Sequence, residues 1–77
     1  MDGAQPVARR LIGTLSGGRE ILFEFFAQGA VVKVTAIDPA TGDEVSIVGP
    51  ARAPRATLQA AALQKLRYVQ QKRGGKT

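Results

Sequence analysis

The chain has 77 residues, a net charge of +5, and neither cysteine nor histidine. This length gives one small domain, and the absence of cysteine excludes disulfides and thiolate metal sites. Without histidine the chain lacks the commonest general base and metal ligand, so we predict a protein that is not an enzyme and has no metal or cofactor.

Residues 1–19 are predicted to form a mostly flexible tail. The composition of residues 7–12 fits a short helix, but Gly13, Gly17 and Gly18 oppose persistent structure. In the alternative prediction, the leucine and isoleucine side chains of the tail fold back onto one face of the sheet that follows.

The chain shows no signal for export or for membrane insertion. Its first residues lack the basic-then-apolar order of a secretory signal. No apolar run approaches the ~20 residues that a membrane span requires. A cytoplasmic location is therefore expected.

Residues 20–50 are predicted to form three strands joined by two hairpin turns. Apolar residues alternate over residues 20–27, 30–38 and 43–49. The two-residue connection Gln28-Gly29 suits a primed turn. The connection from Pro39 to Gly42 suits a type I turn closed by a left-handed glycine, with the Asp38 carboxylate accepting a backbone N–H.

The two turns fix the register of the strands. The first turn places Glu24 opposite Lys33 as a charged pair, and the second places Asp38 opposite Asp43. Both turns select the same core-facing side chains, which are Ile21, Phe23, Phe25, Val32, Val34, Ala36, Val45 and Ile47. A slip of one residue would move all of them to the other face.

One helix is predicted after the sheet. Gly49-Pro50 ends the third strand, Pro54 suits the first turn of a helix, and the helical composition extends to Lys72. At 100° per residue an apolar stripe forms from Leu58, Ala62, Leu63, Leu66 and Val69. The predicted fold is α+β, a three-stranded antiparallel meander packed on one C-terminal helix (β-β-β-α). The domain spans residues 20–73, and residues 74–77 form a C-terminal tail.

The face of the predicted sheet opposite the helix has no cover. It mixes polar residues with five apolar ones, Leu22, Phe26, Val31, Ile37 and Val48. Uncovered apolar surface and unpaired edge strands favour association. We therefore predict a protein-interaction surface at this face or at an edge strand, with a second copy or another protein as the partner.

The charge is unevenly distributed along the chain. It is −2 over residues 1–50 and +7 over residues 51–77. Such asymmetry is typical of a solvated helix face or of a surface for an anionic partner. In the second interpretation the chain binds nucleic acid through Arg52, Arg55, Lys65, Arg67, Lys72 and Arg73. No small-molecule substrate and no membrane partner are indicated.

Two segments carry a resemblance to a known family. They are V-K-V-T-A-I-D-P-A-T-G-D-E-V-S-I-V-G-P over residues 32–50 and A-L-Q-K-L-R-Y-V over residues 62–69. The chain resembles, from about Glu20 to Arg73, a family of short bacterial proteins of unknown function, which implies no activity. A less extensive resemblance is to the double-stranded-RNA-binding domain, whose order is helix, three strands, helix.

Overall fold

A computed structural model describes residues 8–74 as one antiparallel sheet followed by one helix. The elements are β1 (Ala8–Ser16), β2 (Arg19–Gln28), β3 (Val31–Asp38), β4 (Asp43–Pro50) and α1 (Arg55–Gly74). The strands lie in the order β1-β2-β3-β4, so each pairs with its neighbour in the chain. The α+β class and the C-terminal helix are confirmed, but the sheet has four strands rather than three.

The additional strand is β1, which was predicted as flexible tail. Gly17 and Gly18 have φ values of 62° and 81°, so they form a two-residue turn that pairs Ser16 with Arg19. Ile12 packs against the core. The prediction of a flexible tail or a short helix is therefore wrong for residues 8–16, as is the prediction that this segment covers a sheet face, because it lengthens the sheet at one edge. Residues 1–7 and 75–77 lie outside the described part of the chain.

The hairpin between β2 and β3 has a register two residues away from the predicted one. Gln28 pairs with Val31, so the turn is Gly29-Ala30, with Gly29 at a φ of 61°. The predicted pair of Glu24 with Lys33 is wrong, because Glu24 lies opposite Thr35 and Lys33 lies opposite Phe26. A shift of two residues keeps every side chain on its predicted face, because side chains alternate with a period of two.

The hairpin between β3 and β4 has the predicted register. Asp38 pairs with Asp43 at its turn. Gly42 has a φ of 81°, and its N–H donates to the Asp38 carbonyl oxygen over 2.7 Å. The N–H of Ala40 donates to Asp38 Oδ1 over 3.0 Å, which confirms the predicted turn chemistry.

Helix α1 packs on β3 and β4 and closes the core. Its buried residues are Leu58, Ala62 and Leu66, and Leu63 packs against them while half-buried. They meet the buried side chains of the sheet, which are Ile21, Phe23, Phe25, Val32, Val34 and Ala36. The predicted core face is thus confirmed, and so is the helix stripe except for Val69, which does not pack against this core. Among the described residues, no helix has the length and apolar character needed to cross a membrane.

Gly49 on β4 lies against the Leu58 side chain of α1, and its substitution gives a test of the packing. A Cβ at Gly49 would lie 2.5 Å from Cδ2 of the buried Leu58. We expect Gly49→Ala to lower the free energy of unfolding by about 1–3 kcal/mol, because the added methyl group overpacks the core.

Gly13→Ala is the matched control for this substitution. A Cβ at Gly13 would lie 2.6 Å from Oε2 of Glu20, whose side chain is exposed and can move aside. The expected change is within about 0.5 kcal/mol. Urea denaturation measures both variants, and equal losses of stability would contradict this account.

Candidate functional site

Helix α1 covers one face of the sheet and leaves the other without a helix in the described part of the chain. We call this second face the outer face. Its predicted apolar residues all lie there, as the register requires. Leu22, Phe26 and Ile37 are half-buried, whereas Val31 and Val48 are 46% and 66% exposed. The structure therefore brings the five predicted interface residues together on one surface.

These apolar residues form two rows across the strands. In the first row Phe26 lies opposite Lys33, and Lys33 lies opposite Val48. In the second row Leu22 lies opposite Ile37. Neighbouring side chains on one face of a sheet are close enough to pack on each other. Leu22 and Ile37 are thus adjacent in the second row, whereas Lys33 separates Phe26 from Val48 in the first, and Val31 lies outside both rows.

A polar row separates the two apolar rows. It contains Glu24, Thr35 and Ser46, and the hydroxyl oxygens of Thr35 and Ser46 are hydrogen-bonded at 2.8 Å. A depression of about 200 Å³ opens beside it, lined by Glu24, Phe26, Lys33 and Thr35. A surface that mixes apolar strips with hydrogen-bonding groups is typical of interfaces that proteins form and release.

The two edges of the sheet differ in their protection. On β4, the Lys65 Nζ atom donates to the Ser46 carbonyl oxygen over 2.8 Å, and Pro50 ends the strand. Lysine and proline at an edge hinder pairing with a further strand. Strand β1 is the opposite edge and pairs only with β2 among the described residues. Pairing of an edge strand with a partner, as predicted, is therefore less hindered at β1 than at β4.

The six basic residues predicted to contact nucleic acid do not form one patch. Arg52 lies exposed in the turn before α1. The Arg55 guanidinium lies 5.0 Å from the ring centroid of Phe25, over the core side of the sheet. Lys65 and Arg67 are about 160° apart around the helix at 100° per residue, so they flank opposite sides of it.

The last two of these residues lie at the C-terminal end of α1. Lys72 Nζ lies 5.8 Å from the ring centroid of Tyr68, and Arg73 forms an ion pair with Asp43. A helix C-terminus carries partial negative charge, which stabilises these cations and disfavours a phosphate. The basic charge therefore serves partly to anchor the helix within its own chain.

A buried carboxylate, Asp38, ties the sheet to this end of the helix. Asp38 is fully buried, and Gln70 Nε2 donates to its Oδ2 over 2.8 Å. Arg19 at the start of β2 forms an ion pair with the same carboxylate. The hydrogen bond from Gln70, followed by those from Arg19 and Ala40, holds the pKa of Asp38 below its ordinary value, although burial raises it.

Asp43 extends this arrangement to the helix terminus. It accepts hydrogen bonds from Arg73, from Gln70 over 3.1 Å, and from the Thr41 hydroxyl over 2.9 Å. Chiefly through Arg73, these contacts lower the pKa of Asp43 from 3.8 to about 2. We call Arg19, Asp38, Asp43, Gln70 and Arg73 the turn–helix clamp.

The clamp borders an open cleft of about 570 Å³, lined by Arg19, Thr41, Asp43, Arg67, Gln70, Gln71 and Arg73. Two of its arginines are neutralised by the clamp carboxylates. Within residues 8–74, no three carboxylate, imidazole or thiol groups are placed so that they could hold a metal ion. The sequence identified Asp38 as a turn cap but not as the buried partner of Arg19 and Gln70, which are distant in the chain.

The fold and the outer face together define a small α+β protein with an open antiparallel sheet that is covered on one side. A family model described as a domain of unknown function, DUF6898, matches residues 18–73. The chain therefore belongs to this family. The match includes β2, β3, β4 and nearly all of α1, while β1 precedes it. No curated protein and no solved structure is matched by the chain.

The clamp predicts how stability depends on pH. Asp38 and Asp43 both bind protons less readily in the folded chain than in the unfolded chain. Their contribution to the free energy of unfolding is therefore complete above the ordinary pKa of 3.8 and is lost at lower pH, which for Asp43 means as the pH falls toward about 2. Urea denaturation at a series of pH values measures this loss.

Asp43→Asn removes one of the two titrating groups and should flatten the dependence between about pH 4 and pH 2. Glu20→Gln is the control, because it removes an exposed carboxylate that lies outside the clamp. We expect the control to keep the wild-type slope. A slope that Asp43→Asn leaves unchanged would contradict the assignment.

Proposed function

We propose that this protein is a non-catalytic interaction module that binds another polypeptide through the outer face of its sheet. The observation that supports the proposal is the uncovered apolar surface opposite α1, with Val48 66% exposed and Val31 46% exposed. Exposed apolar surface grouped with polar residues favours association with another protein. The depression on this surface measures about 200 Å³, which is below the volume of most small-molecule sites.

The charges of the outer face favour a polypeptide over a nucleic acid. Glu20, Glu24 and Glu44 lie on this face and would repel phosphate groups. Phe26 is its aromatic residue, whereas binding of single strands generally uses several stacking side chains beside basic ones. The outer face is therefore suited to apolar contacts that are surrounded by charged residues.

Binding of nucleic acid through α1 is the competing function, and its structural support is weaker. Of the basic residues of α1, Arg67 and Arg73 line one cleft, but Arg73 is paired there with Asp43. The order of elements also differs from the double-stranded-RNA-binding domain, because the segment before β2 is a strand and not a helix. The family match carries no assigned activity and favours neither function.

Site-specific photo-crosslinking in cells that produce the protein tests the proposal. A photoreactive benzophenone residue replaces Val48 on the outer face, and in a second variant it replaces Gln64 on the exposed side of α1. Because both positions are exposed, neither substitution disturbs the core. We expect a protein adduct from position 48 and none from position 64.

The type of adduct distinguishes the two functions. Protease-sensitive adducts at position 48 support the outer face as a protein-binding surface. Nuclease-sensitive adducts at position 64 would support the competing function. Absence of any adduct at position 48 would overturn the proposal, provided that the variant is present in the cell at the level of the wild-type chain.

A further inference from the structure

Two charged residues of the outer face have no ion-pair or hydrogen-bond partner in the part of the chain that the structure describes. Lys33 lies in the middle of the row that contains Phe26 and Val48, and Glu44 lies beside Ile37 in the second apolar row. Neither Lys33 nor Glu44 forms an ion pair or a side-chain hydrogen bond among the described residues. Both charges can therefore form ion pairs with a partner that binds to the outer face.

The two residues are too far apart to pair with each other in one chain. Glu44 lies opposite Ile37, which is four residues from Lys33 along β3. Four residues of a strand span about 13 Å, which is beyond the reach of a direct ion pair. The outer face thus has Lys33 in one apolar row and Glu44 in the other, with the polar row of Glu24, Thr35 and Ser46 between them.

The charges of this outer face are complementary to those of a second copy whose strands run in the opposite direction. We propose that the partner is a second copy of this chain, packed outer face to outer face about a two-fold axis that crosses the strands. The inference rests on the proposed function of the outer face and names its partner. The axis exchanges the two ends of each strand, so Lys33 of each copy lies near Glu44 of the other.

The apolar rows support the same arrangement. Rotation about an axis over the Thr35 row places the Phe26 row of one copy on the Leu22–Ile37 row of the other. Two sheets stacked in this way lie about 10 Å apart, and their side chains interdigitate to form a second core. Glu24 lies in the middle row, so this axis brings the two Glu24 residues toward each other, and each already has an interaction within its own chain. The interface is isologous, as in most homodimers.

Charge exchange between Lys33 and Glu44 tests the arrangement on the full chain. With Lys33→Glu alone, each contact places the new glutamate against Glu44 of the other copy. With Glu44→Lys alone, each contact places the new lysine against Lys33 of the other copy. We expect each variant to have a dimer dissociation constant raised about tenfold or more, because two attractive contacts become repulsive. An equimolar mixture of the two variants restores opposite charges at both contacts and should form a heterodimer. Sedimentation equilibrium measures the affinities, and native mass spectrometry identifies the heterodimer.

Lys72→Glu is the control, because it changes an equal charge on α1 and should leave the dissociation constant unchanged. If the mixture associates no better than either variant alone, the end-for-end arrangement is overturned. If the wild-type chain is monomeric at high concentration, the second copy is overturned as partner, and the crosslink at position 48 then decides separately whether the outer face binds a different polypeptide.

Discussion

The packing of one helix against one face of a four-stranded sheet is the constraint from which the other properties of this protein follow. Leu58, Ala62 and Leu66 bury the core side chains of β2 and β3, and the closeness of this contact depends on Gly49. A single helix has one apolar stripe and covers one sheet face. In the described part of the chain, the outer face therefore keeps its apolar rows without a second layer, which is why we propose it as the binding surface.

The two ends of α1 are held by different means. At its start, the Pro54 carbonyl oxygen accepts the N–H groups of Thr57 and Leu58, and apolar contacts press the first turns onto β4. At its end, the turn–helix clamp holds Gln70 and Arg73 to the buried Asp38 and its neighbour Asp43. A buried carboxylate is stable only when paired and hydrogen-bonded. The clamp therefore accounts for part of the basic charge that otherwise indicates an anionic partner.

The sequence was sufficient for the parts of the fold with a strong local signal. The Asp38–Gly42 turn combines proline, aspartate and glycine in one pattern, and its register was predicted correctly. The register of the β2–β3 hairpin was not predicted correctly, because a displacement of two residues preserves the apolar face and leaves the hydrophobic pattern unchanged.

Strand β1 was missed because Ile12 is its one large apolar residue on the core side, so pairing with β2 rather than burial stabilises it. Gly17-Gly18 was the available signal, since a two-glycine connection is typical of a hairpin turn. The outer face followed from alternation alone, whereas the clamp joins residues distant in the chain and had no local pattern.

The central claim is that the helix-covered face is a closed core and that the outer face packs on a second copy of this chain. Methyl NMR spectra of the full chain over a series of protein concentrations test it most directly. The account predicts that the methyl signals of Val31, Ile37 and Val48 shift with concentration, while those of the buried Leu58 and Leu66 stay constant. Spectra that do not change with concentration, or changes confined to α1, would contradict it.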